Sequence, residues 1–495
     1  MSEIVLTTGG HVRGSRASEA VVAFLGIPYA SAPFGPHRFR EPGPPRPWRG
    51  VRRADEFGPI PPQPTEPDLP PWSPEDGECV LTVNVWAPPC RAPARPVLVW
   101  VHGGAYRTGF SADPLYDGTR LAEQGLVVVS LNYRVGFEGF GHVPGAPDNR
   151  GLLDQVAALR WVARNIGAFG GDPTNVTLAG ESSGGGSVAC LLAMPAARGL
   201  FQRAIAHSVP YDFVTRATAA AVGERVAEAA GAAPEALAEV PPGELVAAAE
   251  RVTAEEQAGP PDTLRHYTTT VFAPVVDGEV LPAAPLTALE AGAGGAAELL
   301  LCHTLHEFRL FPGVGAAPQV TEDDALPDVA RAFGLPPERV AGYRALAPGA
   351  SAYDLYTMIA TDGRYAEYTA RLAEAHTRAG GRAHLARFAW ESPALDGALG
   401  ACHSLDVPFA FRNLDGGPYA EFLLGEPGPA EHALAGRIAG AWADFAATGD
   451  PGWPALSAGD TPVRTWNRRD GLEHDDPQSG TRALWRDVDF HAPTG

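Results

Sequence analysis

The junction that most constrains this chain lies near residue 180. Val176-Thr177-Leu178-Ala179 is an apolar run that leads into Gly180-Glu181-Ser182-Ser183-Gly184-Gly185-Gly186, and Val188-Ala189-Cys190-Leu191-Leu192 follows with helical character. Glycines on both sides of Ser182 let the backbone turn sharply where other residues would collide. A strand, a tight turn and a helix in that order lift the Ser182 hydroxyl above the strand end. The free N–H groups of the helix then point at the same spot. G-x-S-x-G alone is a short pattern; the strand before it and the helix after it give it weight.

Similar short runs punctuate the first half. Val97-Leu98-Val99-Trp100-Val101 ends at His102-Gly103-Gly104, Leu126-Val127-Val128-Val129-Ser130-Leu131 at Asn132, and Arg203-Ala204-Ile205-Ala206 at His207-Ser208. Continuous valine-rich runs read as strands buried on both faces. Between them Leu152, Val156, Leu159, Val162 and Ile166 recur at helical spacing. Later strand candidates are Leu299-Leu300-Leu301-Cys302 and His384-Leu385-Ala386-Arg387-Phe388-Ala389. Strands alternating with helices predict the α/β class, with a central, mostly parallel sheet flanked by helices. Residues 61–74 are Pro-rich and are expected to form a surface loop. Residues 219–258 are Ala/Glu-rich and helical, broken at Pro241-Pro242-Gly243, either as a cap over the sheet edge or as plain surface helices. No repeat or linker divides the chain, so residues 1–495 are expected to form one domain with helical insertions.

Composition removes several classes of function. The net charge is −20, whereas a nucleic-acid partner calls for a basic stripe. There is no lysine, which excludes a lysine Schiff base and a P-loop lysine. Together with the abundance of Ala, Gly and Pro, this fits a GC-rich, bacterial genome. No run is long and apolar enough to span a membrane, and Met1-Ser2-Glu3-Ile4-Val5 is not a secretory start, so a cytoplasmic location is expected. Cys79, Cys90, Cys190, Cys302 and Cys402 are scattered and odd in number, which fits free thiols better than a disulfide framework or a zinc site.

A serine hydroxyl needs a base, an acid that orients the base, and donors for the oxyanion. The turn His102-Gly103-Gly104-Ala105-Tyr106 follows a strand, so the N–H groups of Gly104 and Ala105, with that of Ser183, are expected to make a three-donor oxyanion hole. His102 is read as structural. Among fourteen histidines, position favours His403, in Cys402-His403-Ser404-Leu405-Asp406, soon after the strand ending near Ala389. Glu307 follows the run that ends at Cys302 and is the matching acid. His303 and His306 beside it raise a metal site as a thought, but no third ligand stands at suitable spacing.

The chain resembles the type-B carboxylesterase family, which includes the cholinesterases and bacterial para-nitrobenzyl esterases, almost from end to end. The resemblance is carried by Phe24-Leu25-Gly26-Ile27-Pro28-Tyr29-Ala30, Gly35-Pro36-His37-Arg38-Phe39, Leu81-Thr82-Val83-Asn84-Val85-Trp86, Asn132-Tyr133-Arg134-Val135-Gly136, Gly151-Leu152-Leu153-Asp154-Gln155, Phe169-Gly170-Gly171-Asp172-Pro173, Pro274-Val275-Val276-Asp277-Gly278 and Thr448-Gly449-Asp450-Pro451. It implies an α/β-hydrolase fold and the triad Ser182, Glu307 and His403. It also implies a buried Arg38–Glu78 ion pair, a pocket-floor carboxylate at Glu181, and supporting hydrogen bonds from Ser208 and Asp406, for which simple packing is an equal reading.

This sequence departs from the family in three places. Val80 stands where the family has a disulfide cysteine, Phe308 follows the acid in place of glycine, and Ser183 follows the nucleophile in place of alanine. The expected function is a serine carboxylic-ester hydrolase acting through an acyl-enzyme on a small-molecule ester, with no metal or organic cofactor and no nucleic-acid or membrane partner. A specialised acyl-transferring, lactone- or amide-processing enzyme of a biosynthetic pathway uses the same machinery and is the alternative. A non-catalytic binding module is disfavoured because all three triad positions are filled.

Overall fold

The computed structural model describes residues 3–66, 71–89, 94–474, 476 and 478–494. Cys90 therefore lies outside the described residues, as do positions 67–70 of the Pro-rich stretch. The centre is an eleven-stranded sheet. Its strands in chain order are β1 (Ser15–Arg16), β2 (Val22–Pro28), β3 (Thr82–Ala87), β4 (Arg95–Val101), β5 (Val127–Leu131), β6 (Gly171–Glu181), β7 (Arg203–His207), β8 (Glu298–Thr304), β9 (Arg382–Phe388), β10 (Val463–Trp466) and β11 (Gly471–Glu473). Across the sheet they run β11-β10-β9-β8-β7-β6-β4-β5-β3-β2-β1. Neighbours from β10 through β5 are all parallel, and the strands outside that block pair antiparallel. A small separate sheet joins Ile4–Thr7, Gly10–Arg13 and Val51–Arg53.

The continuous apolar runs have the cause inferred from them. Val97, Val99 and Val101 of β4 face one hydrophobic core, while Leu98 and Trp100 face another on the opposite side of the sheet. Alternate side chains of a strand point to opposite faces, so a strand covered on both sides needs apolar residues at every position. In β8, Leu299 and Leu301 join the first core, and Leu300 and Cys302 the second. Helix Arg150–Asn165 buries Leu152, Val156, Leu159 and Val162, and Ile166 is buried in the short turn that follows. On the other face, helix Pro429–Thr448 brings Trp442 to 5.9 Å from Trp100, ring centroid to ring centroid.

Two expectations need adjustment. Strand β6 starts at Gly171, well before Val176, because Gly171 pairs with Arg95 and an irregular stretch precedes the regular pairing from Val176 onward. In that stretch the Asp172 carboxylate caps the Thr174 N–H. The Ala/Glu-rich region forms helices Arg216–Ala229 and Pro242–Gln257. Pro242 stands at the start of the second helix, where its missing N–H costs nothing, whereas the first helix has already ended at Ala229, so the prolines begin one helix and do not end the other. No helix among the described residues is long and apolar enough to cross a membrane.

Candidate active site

Ser182 sits at the predicted elbow, between β6 and helix Ser183–Ala193, with φ 55° and ψ −128°. A positive φ on a side-chain-bearing residue is strained by about 1–3 kcal/mol and persists only where neighbours enforce it. Those neighbours are evident. The Ser182 N–H donates to His207 O at 3.0 Å, and the Ser182 carbonyl accepts from the Gly186 N–H at 2.8 Å. A Cβ on Gly184 would come 2.1 Å from Val101 O, and one on Gly180 would come 2.5 Å from Gly184 O. The small residues therefore let β4, β6 and the helix start converge under the serine.

Three loops at the carboxyl ends of the parallel strands complete the arrangement. His403 Nε2 lies 2.8 Å from Ser182 Oγ, and His403 Nδ1 lies 2.6 Å from Glu307 Oε2. The other Glu307 oxygen accepts the Thr304 N–H at 2.7 Å and the Ser208 hydroxyl at 2.6 Å. Glu307 is fully buried and Ser182 only half-buried, so solvent reaches the hydroxyl and not the acid. The acid and histidine loops also bond to each other: His306 N–H donates to Ala401 O at 2.8 Å, Ala401 N–H to His306 Nδ1 at 3.0 Å, and His403 N–H to Glu307 O at 3.3 Å.

The glycine turn after β4 faces the serine. Gly104 has φ +115°, and a Cβ there would meet Thr108 O at 2.2 Å. Ala105 and Tyr106 follow at φ 55° and 57°. Among the described residues, the N–H groups of Gly104, Ala105 and Ser183 donate to no other protein group. His102 is structural as expected: its ring stacks on Tyr133 at 4.4 Å, its Nδ1 meets Gly103 O at 2.8 Å, and burial pushes it down to about 4.

Three carboxylates surround His403. Burial opposes its protonation, but Glu181 and then Glu307 outweigh burial, so it titrates above its ordinary 6.5. Glu181 Oε1 stands 3.3 Å from His403 Nε2 and accepts the Ser404 hydroxyl at 2.7 Å. Burial pushes the Glu181 carboxyl up to about 7, against the opposing pull of His403. The third carboxylate, Asp406, does not share a network with Ser208. Ser208 holds Glu307, whereas Asp406 Oδ2 lies 2.6 Å from His207 Nδ1. His207, Cys302 and Asp406 keep possible metal-ligating atoms within 4.8 Å of one another, but Asp406 already occupies the imidazole and burial drives the Cys302 thiol well above its usual range. His303 and His306 are committed to backbone partners, Thr304 O at 3.0 Å and the Ala401 N–H.

The Arg38–Glu78 pair is not formed. Glu78 is exposed, in the turn before β3. Arg38 Nη2 instead meets Glu138 Oε1 at 2.6 Å, both side chains nearly buried, because the short helix Gly136–Phe140 carries Glu138 inward to it. The Arg38 Nε also donates to Glu138, and the carbonyls of Ala238 and Val240 accept from Nη1. The Pro-rich stretch is also more than a surface loop. Pro61, Pro62 and Gln63 are buried, and Gln63 holds Gly109 through both amide atoms, at 2.8 and 3.2 Å.

Ser182, His403, Glu181, Gly104, Ala105 and Ser183 all line one cavity of about 390 Å³. Aromatic rings supply much of the rest. Phe308, at the first departure from the family pattern after the acid, packs on Phe311 at 5.1 Å and Phe333 at 5.3 Å. Tyr365 leans on the His403 ring at 4.7 Å. Arg107, in the cavity wall, ties Glu66 of the Pro-rich stretch to Glu250 of helix Pro242–Gln257, which joins that insertion to the edge of the site, although none of residues 219–258 lines the cavity. Tyr365, Arg364, Asp212 and Arg107 were not foreseen; none belongs to a local motif, and only the fold brings them here. A second, more open cleft of about 750 Å³ shares no lining residue with this cavity.

A sequence profile of the carboxylesterase family matches residues 1–332. The chain is 38% identical over 475 residues to the para-nitrobenzyl esterase of Bacillus subtilis (strain 168), covering 92% of each protein. It is 35% identical over 490 residues to the phenmedipham hydrolase of Pseudarthrobacter oxydans, covering 93% of this chain and 94% of that one. A crystal structure of a Geobacillus stearothermophilus carboxylesterase superposes with a TM-score of 0.84 at 36% identity, covering 97% of this chain and 99% of the other.

Proposed function

The chain belongs to the carboxylesterase family, and from that premise we propose that Ser182, His403 and Glu307 are the catalytic triad of its serine ester hydrolysis. The observation that supports this most is the unbroken Ser182–His403–Glu307 contact chain, with solvent access at the serine end alone. Ser182 Oγ attacks the ester carbonyl while His403 Nε2 takes its proton. Glu307 fixes the tautomer by accepting at Nδ1 and stabilises the imidazolium that forms. The negative charge on the carbonyl oxygen is received by the N–H groups of Gly104, Ala105 and Ser183, which have no other acceptor among the described residues. His403 then protonates the departing alcohol, and a water activated by the same histidine releases the acid.

The substrate in this reading is a small ester that fits a cavity of about 390 Å³ with several aromatic rings in its wall, of the kind named for the para-nitrobenzyl esterase relative. Glu181, Ser208 and Asp406 are positioning residues in this scheme. We read residues 1–495 as one bacterial, cytoplasmic domain; free thiols at Cys79, Cys190, Cys302 and Cys402 support a reducing setting. The test is hydrolysis of a short-chain para-nitrophenyl ester, with Ser182→Ala expected to lower kcat by about 10⁶-fold, as removal of the nucleophile does in other triads. Wild-type turnover in that variant would remove Ser182 from the mechanism.

A further inference from the structure

We propose that Arg364 determines specificity: its guanidinium is a subsite in the cavity wall for a neutral hydrogen-bond acceptor, such as a ketone, amide or carbamate oxygen, carried by the substrate a few bonds from the ester. The proposal rests on the reading of Ser182 as the nucleophile.

Arg364 is a cation that the fold has gone far to bury. It is 7% exposed and has one charged partner, Asp212, with Nη2 3.0 Å from Oδ2. Nη1 is buried and makes no hydrogen bond of ordinary geometry among the described residues, although the neighbouring Tyr365 hydroxyl interacts with the guanidinium. A guanidinium carries five donors, and native proteins rarely leave one buried without a partner. Arg364 and Asp212 both line the cavity that holds Ser182. The next residue, Tyr365, is a neighbour of both Arg364 and His403: the Arg364 Cζ lies 5.9 Å from the Tyr365 centroid, and the Tyr365 ring lies 4.7 Å from that of His403. The guanidinium thus shares a ring neighbour with the catalytic base.

The backbone holds this side chain in place. Asp362–Ala366 is a widened, π-helical turn between helices Ala352–Thr361 and Glu367–Arg378. Such turns cost regular hydrogen bonding and recur at functional sites. The Arg364 carbonyl accepts the Tyr211 N–H at 2.7 Å. A Cβ on Gly363 would come 2.7 Å from the Trp485 ring and 3.0 Å from Phe333 Cβ, so the turn is wedged.

The charge balance selects a neutral acceptor over an anion. Asp212 already neutralises Arg364 and also feels Arg265, Arg107 in the cavity wall is held between Glu66 and Glu250, and Asp113 and Glu181 line the same cavity. A substrate carboxylate would enter against these groups, whereas a carbonyl oxygen takes an Nη1 N–H without adding charge.

The experiment compares kcat/KM for matched esters in the full chain, each divided by its hydroxide-catalysed rate. On the acyl side the pair is para-nitrophenyl 5-oxohexanoate and para-nitrophenyl hexanoate; on the alcohol side it is 4-oxopentyl butyrate and pentyl butyrate. The keto ester is expected to lead by about tenfold or more in at least one pair, the discrimination a hydrogen bond to a charged group supports. In Asp212→Asn/Arg364→Met, which removes both charges together, that ratio falls to about one. A purely structural Arg364 would lower both esters equally and leave the ratio unchanged, which would overturn the proposal. The wild type alone also decides: the carboxylate analogue, para-nitrophenyl hemiglutarate, is expected to be the poorest acyl substrate. A wild-type ratio near one in both pairs, or a lead for hemiglutarate, refutes the subsite even if the double variant does not fold. Titration of Ser182 with a phosphonate separates this from a failure of the triad reading, in which no label forms and no ester turns over.

Discussion

Replacing Glu307 by Gln tests the tautomer argument directly. Glu307 Oε1 accepts from two donors, the Thr304 N–H at 2.7 Å and the Ser208 hydroxyl at 2.6 Å. In Glu307→Gln the amide oxygen is held at that position, since an NH₂ there would face the Thr304 N–H. The NH₂ then points at His403 Nδ1, 2.6 Å away in the native protein. A donor at Nδ1 forces the proton onto Nε2, the nitrogen that must take the proton of Ser182. The base is present, in position, and in the wrong tautomer. The expected loss in kcat is about 10⁴-fold, the size seen when the equivalent change is made in a serine protease triad, which at roughly 1.36 kcal/mol per factor of ten is about 5 kcal/mol of transition-state stabilisation. Steady-state hydrolysis of para-nitrophenyl butyrate at neutral pH is the assay. A thermal melt should change little, because the amide keeps the acceptor for Thr304 and Ser208. Turnover within tenfold of wild type would refute the reasoning and send the acid role elsewhere.

Two further outcomes are expected. His403 must be neutral to accept a proton and titrates above 6.5, so kcat/KM should fall as pH drops through a value above that, and Glu181→Gln should move this acid limb to lower pH by removing the strongest influence that raises it; a limb that stays in place in the pH profile of the variant contradicts the assignment. Glu138→Gln should destabilise the protein by about 3–5 kcal/mol in denaturant titration, since it leaves the buried Arg38 unpaired, while Glu78→Gln at an exposed position should stay within about 0.5 kcal/mol; equal effects would reverse the pairing observed here.

The central sheet could be read from the sequence because its strands are buried on both faces, and burial of that kind writes itself as uninterrupted apolar runs. The elbow was legible for a different reason: Gly180 and Gly184 answer to contacts with backbone atoms that no side chain could share. Glu307 and His403 came from the order of loops along the chain. Arg38 could not be paired correctly by position, because its partner was chosen by the direction in which a five-residue helix points Glu138. For Ser208 and Asp406 the sequence offered hydrogen bonding and simple packing equally and named no partners; those are Glu307 for Ser208 and His207 for Asp406, and His207 belongs to no motif. Arg364, Tyr365 and Asp212 left no local trace, for they meet only when a widened helical turn is laid against the segment after β7.

The mutual bonding of the acid and histidine loops has a consequence for how such a protein changes over time. His306, Glu307, Ala401 and His403 close on one another and on the strand ends, and none of those bonds passes through the rim formed by Glu66, Arg107 and Glu250. The acid and histidine loops are thus held independently of that rim, whereas the oxyanion turn is not, since the Arg107 N–H donates to Gly104 O at 3.0 Å. The segments that carry Glu66 and Glu250 could be exchanged for those of a relative, as one changes the jaws of a vice, and the acid–histidine pair beneath would keep its alignment, provided Arg107 and the turn it belongs to stay as they are.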